Sequence, residues 1–232
     1  MSWALGAAAL SAAALFSTAA SAGTITIGGP GDANSGNCFP FGCTTWAPQY
    51  QQVYGSSNFS GTITIKDLVF YNNNLPGGSL NTGTYTIDLS QTSAAVDGLN
   101  LTNLSSNIGG HDVTVFSGSL PALAGGMLTI ALSTPYTYNP ADGNLLLDIN
   151  GSGLTGGGIY LDADNGSAGG VFSRAMTPGC CTGTSDWGLV TGFTVGGGVP
   201  EPATWAAMLL GLGMVGAGLR TARRNDRALA AV

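Results

Sequence analysis

The sequence predicts an all-β chain: a two-sheet β-sandwich, jelly-roll-like, flanked by an N-terminal signal helix and a C-terminal transmembrane helix. Three observations carry this expectation. Between residues 23 and 195 polar and apolar residues alternate in short runs, the period of a strand with one buried face. Gly, Asn, Pro and Ser cluster between those runs. By contrast, residues 1–16 and 203–219, near the two ends, are continuous apolar stretches without charged side chains.

The strand candidates follow in chain order. Thr24–Ile27 opens the series, then Tyr50–Tyr54. Thr62–Ile65 alternates, Lys66 and Asp67 interrupt it, and Leu68–Tyr71 resumes in shifted phase, which predicts a bulge or tight turn. Thr84–Leu89 alternates cleanly and points Tyr85, Ile87 and Leu89 inward. Val113–Leu120, Met127–Leu132, Asn144–Ile149, Gly158–Leu161 and Leu189–Val195 complete eight to ten short strands. Thr24/Thr26, Thr62/Thr64 and Thr84/Thr86 each read T-x-T. Stacked on one face such pairs would order water, but ordinary strand alternation with a solvated Thr face explains them better.

The first 22 residues predict a secretory signal peptide. An apolar, Ala-rich run ends in Ala20-Ser21-Ala22, a small-x-small cleavage site, although no Lys or Arg precedes the run. Residues 23–195 are then the exported domain and residues 196–199 a Gly-rich linker. Residues 200–227 combine three parts. Pro200-Glu201-Pro202 is a stiff extended motif, because each proline fixes its own φ and restricts the residue before it. Residues 203–219 are uncharged and apolar, with Trp205 at the outer end, and as a helix rise roughly 25 Å. Residues 220–227 hold Arg220, Arg223, Arg224 and Arg227, a basic stop that belongs on the cytoplasmic side.

At these residues the chain closely resembles PEP-CTERM sorting domain-containing proteins, in the PEPxxWA form; the same tail also carries the label of an ice-binding protein C-terminal domain. The resemblance covers about the last thirty residues. It implies recognition by an exosortase, with Pro200, Glu201, Pro202 and Trp205 as the sorting motif and Arg220, Arg223 and Arg224 as the membrane stop. It implies export through the inner membrane, transient anchoring, and then a place at the cell surface or in the extracellular matrix of exopolysaccharide-making Gram-negative bacteria. Residues 33–43, Tyr50–Tyr54 and residues 143–149 also resemble proteins of this type and support architecture only.

Composition narrows the rest. Four of the six Lys and Arg residues lie in the last thirteen positions, which leaves ten acids against Lys66 and Arg174 in the centre. Such an acidic domain repels phosphate backbones, so no nucleic-acid partner is expected. Export makes disulfides the expected state of Cys38, Cys43, Cys180 and Cys181. Three pairings are open. A bond between the adjacent Cys180 and Cys181 would be strained, and cross-links from Cys38 and Cys43 to Cys180 and Cys181 are favoured over a local Cys38–Cys43 clip. Closing a loop of about 140 residues contributes roughly 4 to 5 kcal/mol in the chain-entropy model. The C-x4-C spacing without a nearby His argues against zinc.

No catalytic constellation is expected, and no cofactor. His111 is the single histidine, in a Gly-Gly-His-Asp loop without a second base beside it. Asp162 and Asp164, at alternate positions before Asn165-Gly166, resemble the start of a calcium loop but lack the distal Glu; a polar hairpin turn is the plainer reading. The same two carboxylates are the only basis for a polysaccharide hydrolase. The expectation is therefore an exported surface or matrix protein, not an enzyme, associated with exopolysaccharide or biofilm; Phe39, Phe41, Trp46 and Trp187 are candidates either for stacking on sugar rings or for the core. Its alternatives are a secreted hydrolase and a calcium-stabilised adhesion module.

Overall fold

A computed structural model describes residues 23–29, 36–43, 48–73, 78–165, 170–177 and 187–196. Twelve strands run through these residues in chain order. They are β1 Gly23–Ile27, β2 Gly36–Asn37, β3 Gln49–Tyr54, β4 Ile63–Tyr71, β5 Asn81–Thr92 and β6 Val113–Gly118. Then come β7 Met127–Tyr138, β8 Asn144–Gly156, β9 Leu161–Asn165, β10 Phe172–Thr177, β11 Trp187–Leu189 and β12 Thr191–Val195. They form a four-stranded sheet ordered β1-β12-β4-β7, a five-stranded sheet ordered β10-β3-β8-β5-β6 and a small sheet ordered β11-β9-β2. The named strand pairs are antiparallel. Only short 3-10 turns interrupt the strands among the described residues, and none of their helices is long and apolar enough to cross a membrane.

The period-two pattern places the core. Tyr85, Ile87 and Leu89 are all fully buried on β5, as their alternation predicts. The phase shift at Lys66 is a bulge within one strand: the β4–β7 register slips between Ile65 and Asp67. Tyr54 of β3 meets Phe193 of β12 edge-on at 5.0 Å, and Phe41 touches Phe70 of β4 at 4.9 Å and Tyr85 of β5 at 5.6 Å. Aromatic contacts of this kind join residues of the four- and five-stranded sheets in one core cluster, and each adds about 0.5–1.5 kcal/mol beyond area burial.

Several expectations are corrected here. Gly158–Leu161 is not a strand: β9 begins at Leu161 and runs through Asp162 and Asp164, which therefore stand on a strand and not in a calcium-type loop. β10 was not expected at all. The T-x-T residues are divided between sheets, in keeping with ordinary strand alternation: Thr24 and Thr26 lie on β1, Thr64 on β4, and Thr84 and Thr86 on β5 of the other sheet. Phe39 and Phe41 are core residues, not sugar platforms.

The favoured disulfide pattern is also corrected. Cys38 bonds to Cys43. A tight turn, in which the Cys43 amide donates to the Cys38 carbonyl at 3.0 Å, brings their Cα atoms to 5.2 Å. Gly42 lets that turn lie against the Ile159 backbone, where a Cβ would collide with the carbonyl. Cys180 and Cys181 lie outside the described residues. A ring this short constrains the unfolded chain less than a 140-residue loop does, roughly 2 kcal/mol in the chain-entropy model. A Cys38→Ser, Cys43→Ser double variant is expected to lose about 2 kcal/mol in urea denaturation; a loss of 5 would point to long-range closure.

Candidate functional site

The strongest constellation sits where β3 and β10 of the five-stranded sheet face the small sheet. Phe172, Arg174 and Met176 alternate on β10 and pair in register with Tyr54, Gln52 and Tyr50. All six are buried. Their polar atoms form a chain. The Tyr50 hydroxyl donates to Gln52 Oε1. Gln52 Oε1 also accepts from the Leu189 amide at 2.8 Å, while its Nε2 donates to the Leu189 carbonyl at 2.9 Å. Thr191 Oγ1 donates to that same carbonyl at 2.9 Å and accepts from the Tyr54 hydroxyl at 2.8 Å. Gly188 makes this approach possible, since a Cβ there would sit 2.7 Å from the Phe172 ring.

Arg174 lies at one end of this network. It is only 3% exposed, and its guanidinium carbon stands 5.0 Å from the centroid of the Trp187 ring. Trp187 itself is 40% exposed. Burial pushes the Tyr50 phenol up to about 12, and the neighbouring Arg174 charge pulls the other way without offsetting it. The phenol is therefore neutral at physiological pH.

The residues expected from the sequence do not converge on this point as a catalytic set. Asp162 and Asp164 are 1% and 6% exposed on β9, and Asp164 Oδ2 accepts from the Gly29 amide at 2.9 Å. His111 is exposed, with φ at +53°, and its carbonyl accepts from the Tyr136 hydroxyl at 3.1 Å. Among the described residues no three His, Cys, Asp or Glu side chains are placed to hold a metal ion. Trp46, Pro200, Glu201, Pro202, Trp205, Arg220, Arg223 and Arg224 lie outside the described residues, as do the signal segment 1–22 and the helix expected over 203–219.

Sequence reasoning missed Arg174. Its signal was present: one of two bases in an acidic centre, placed in Val171-Phe-Ser-Arg-Ala-Met176 where its neighbours at i±2 are apolar. It also missed a carboxylate pair. Asp88 and Asp148 stand directly opposite each other on β5 and β8. Asp148 accepts from Gln49 Nε2 at 3.1 Å on both oxygens, and Asp88 from Thr114 Oγ1 at 2.5 Å.

The chain's end decides its family relation. The model of the PEP-CTERM protein-sorting motif matches residues 198–224. The chain therefore carries a PEP-CTERM protein-sorting motif at residues 198–224. No curated protein and no solved structure matches it. The motif supports export, transient membrane anchoring and sorting to the cell surface for this PEP-CTERM protein. Its last described residue, Gly196, is pinned by its amide to the Thr64 carbonyl at 3.0 Å immediately before the tail begins.

The carboxylate pair yields a pH prediction. Burial, and then the Asp88 and Asp112 charges, raise Asp148 above its ordinary value of 3.8, against the pull of Gln49 and Gln51. The folded state therefore binds the proton more tightly than the unfolded chain. Stability from this group is present at and below that value and is lost as pH rises through the raised one. Asp148→Asn is expected to gain stability relative to the native chain as pH is raised from acid toward neutral, measured by urea denaturation across pH. An identical pH slope in both proteins would contradict the assignment.

Proposed function

We propose that the PEP-CTERM tail delivers a non-catalytic β-sandwich of jelly-roll type to the outer surface of a Gram-negative cell, where it associates with exopolysaccharide in the biofilm matrix. The single observation that carries the reading is the sorting motif over residues 198–224. An exosortase acts on the Pro200-Glu201-Pro202 segment while the apolar residues 203–219 hold the tail in the inner membrane and Arg220, Arg223 and Arg224 stay inside. The domain works by binding in this reading, and needs no cofactor.

The topology supports it. Gly23, the first residue after the expected cleavage site, pairs with Val195 at the end of β12. Both membrane-directed segments thus leave from one corner, and the rest of the domain can stand away from the bilayer. The exposed large side chains Met127, Tyr160 and Trp187 supply apolar surface for sugar rings. The hydrolase alternative draws no support from the geometry, since Asp162 and Asp164 are both interior.

Sorting is tested by fractionating the native bacterium. The unaltered chain is expected at the outer surface or in the medium, shortened at its C-terminus by mass spectrometry. A Pro200→Ala, Pro202→Ala double variant is expected to accumulate at full length in the inner membrane. A variant distributed and processed like the native chain would overturn the assignment. The matrix role is tested by retention of native exopolysaccharide on the immobilised protein against a control protein of equal charge.

A further inference from the structure

We propose that the corner formed by Arg174 and Trp187 binds the carboxylate of an acidic sugar, a uronate unit of a polysaccharide; this rests on the exopolysaccharide reading and names the class of glycan. Lys66 and Arg174 are the only bases before the tail, and Lys66 is exposed, so Arg174 is the one interior cation among the described residues. Its Nε and Nη1 groups are buried and meet no acceptor among those residues. Buried donors of a charged group left in that condition are costly, and in native proteins they point to a ligand, ion or water that satisfies them.

The Tyr50 phenol hydrogen-bonds the guanidinium, but Nε and Nη1 are still left without an acceptor among the described residues. Gln52 Oε1 already accepts from the Tyr50 hydroxyl and from the Leu189 amide. The Tyr50 phenol is neutral and brings no counter-charge. The guanidinium instead lies against the Trp187 ring at 5.0 Å. A cation–π contact is weaker than charge-assisted hydrogen bonds from two otherwise unmade donors to a carboxylate. Exchanging one for the other is therefore favourable. The indole, 40% exposed on the three-residue strand β11, presents an apolar face beside the guanidinium on which a sugar ring can stack. A planar carboxylate suits a guanidinium better than a spherical anion does, and the pyranose face suits an indole. A neutral glycan offers hydroxyl and ring oxygens to the two donors but no counter-charge, so its hydrogen bonds are weaker.

The acidic surface sets a further expectation. With ten acids in the central region, long-range forces oppose a polyanion, and salt screens that opposition while a buried contact is screened little. Uronate binding at Arg174 should therefore hold or strengthen as salt rises, where attraction to surface bases would fade.

The test is calorimetry on the full chain in detergent micelles, with tetramers of galacturonate, glucuronate and mannuronate, a neutral tetrasaccharide, and acetate. At least one uronate tetramer is expected to bind, and about tenfold or more tighter than the neutral sugar or acetate. Binding should change the indole fluorescence in the native chain and not in Trp187→Phe, and Arg174→Gln should weaken it at least as much as removing the sugar's charge does. Equal binding of acetate would mean an adventitious ion only and would overturn the proposal. Equal binding of the neutral sugar would overturn it while leaving the exopolysaccharide reading intact; failure of every oligosaccharide, together with no retention of native exopolysaccharide, would overturn both. Should Arg174→Gln not fold, the comparison of uronate with neutral sugar on the native chain and the Trp187→Phe spectrum decide alone.

Discussion

One buried amide holds the two halves of this domain in relation to each other. Gln52 extends from the five-stranded sheet and bonds both the amide and the carbonyl of Leu189, in the strand that runs into β12. A carboxamide in an apolar interior is destabilising unless all its groups are matched, and here both ends are. Because one side chain satisfies a donor and an acceptor of the same residue, a slip of β11 by one position would break both bonds and leave a buried amide unpaired. The contact thus fixes register as well as position. Tyr54 and Thr191 extend the same network toward Phe193, where the edge-on aromatic contact continues the link without polar groups.

That constraint bears on sorting. β12 is held by β1 on one side and β4 on the other, and its neighbour β11 by Gln52. The tail therefore starts from a strand that cannot fray without disturbing the core. The Gly23–Val195 pairing puts the first residue of the expected mature chain beside that exit. Arg174 lies off the same network, so a ligand held there is mechanically continuous with the strands that lead to the tail.

What was readable in the sequence follows from how local each signal is. Tail function was readable because its chemistry is sequential: two prolines, an uncharged run and an arginine cluster act through their order along the chain. Strand existence on β4 and β5 was readable from period two, and so was the bulge at Lys66, because a phase shift needs no partner to be seen. Expectations failed where they depended on what a segment meets. Asp162 and Asp164 look like turn residues until β11 and β2 pair with β9 on either side. The choice between a Cys38–Cys43 clip and long-range cross-links depends on how residues 38–43 fold, with Gly42 packed on Ile159. β10 escaped because an arginine stands at an inward position, and only Trp187, distant in sequence, explains its place there.

Gln52 ties β11 to the five-stranded sheet, and amide hydrogen exchange at Leu189 reads that tie. The Leu189 amide is expected to exchange only with global unfolding, at the same free energy as core amides of β8, and Gln52→Leu to convert it to fast local exchange while β8 stays protected. Rapid exchange of Leu189 in the native chain, at the rate of an exposed loop, would contradict it.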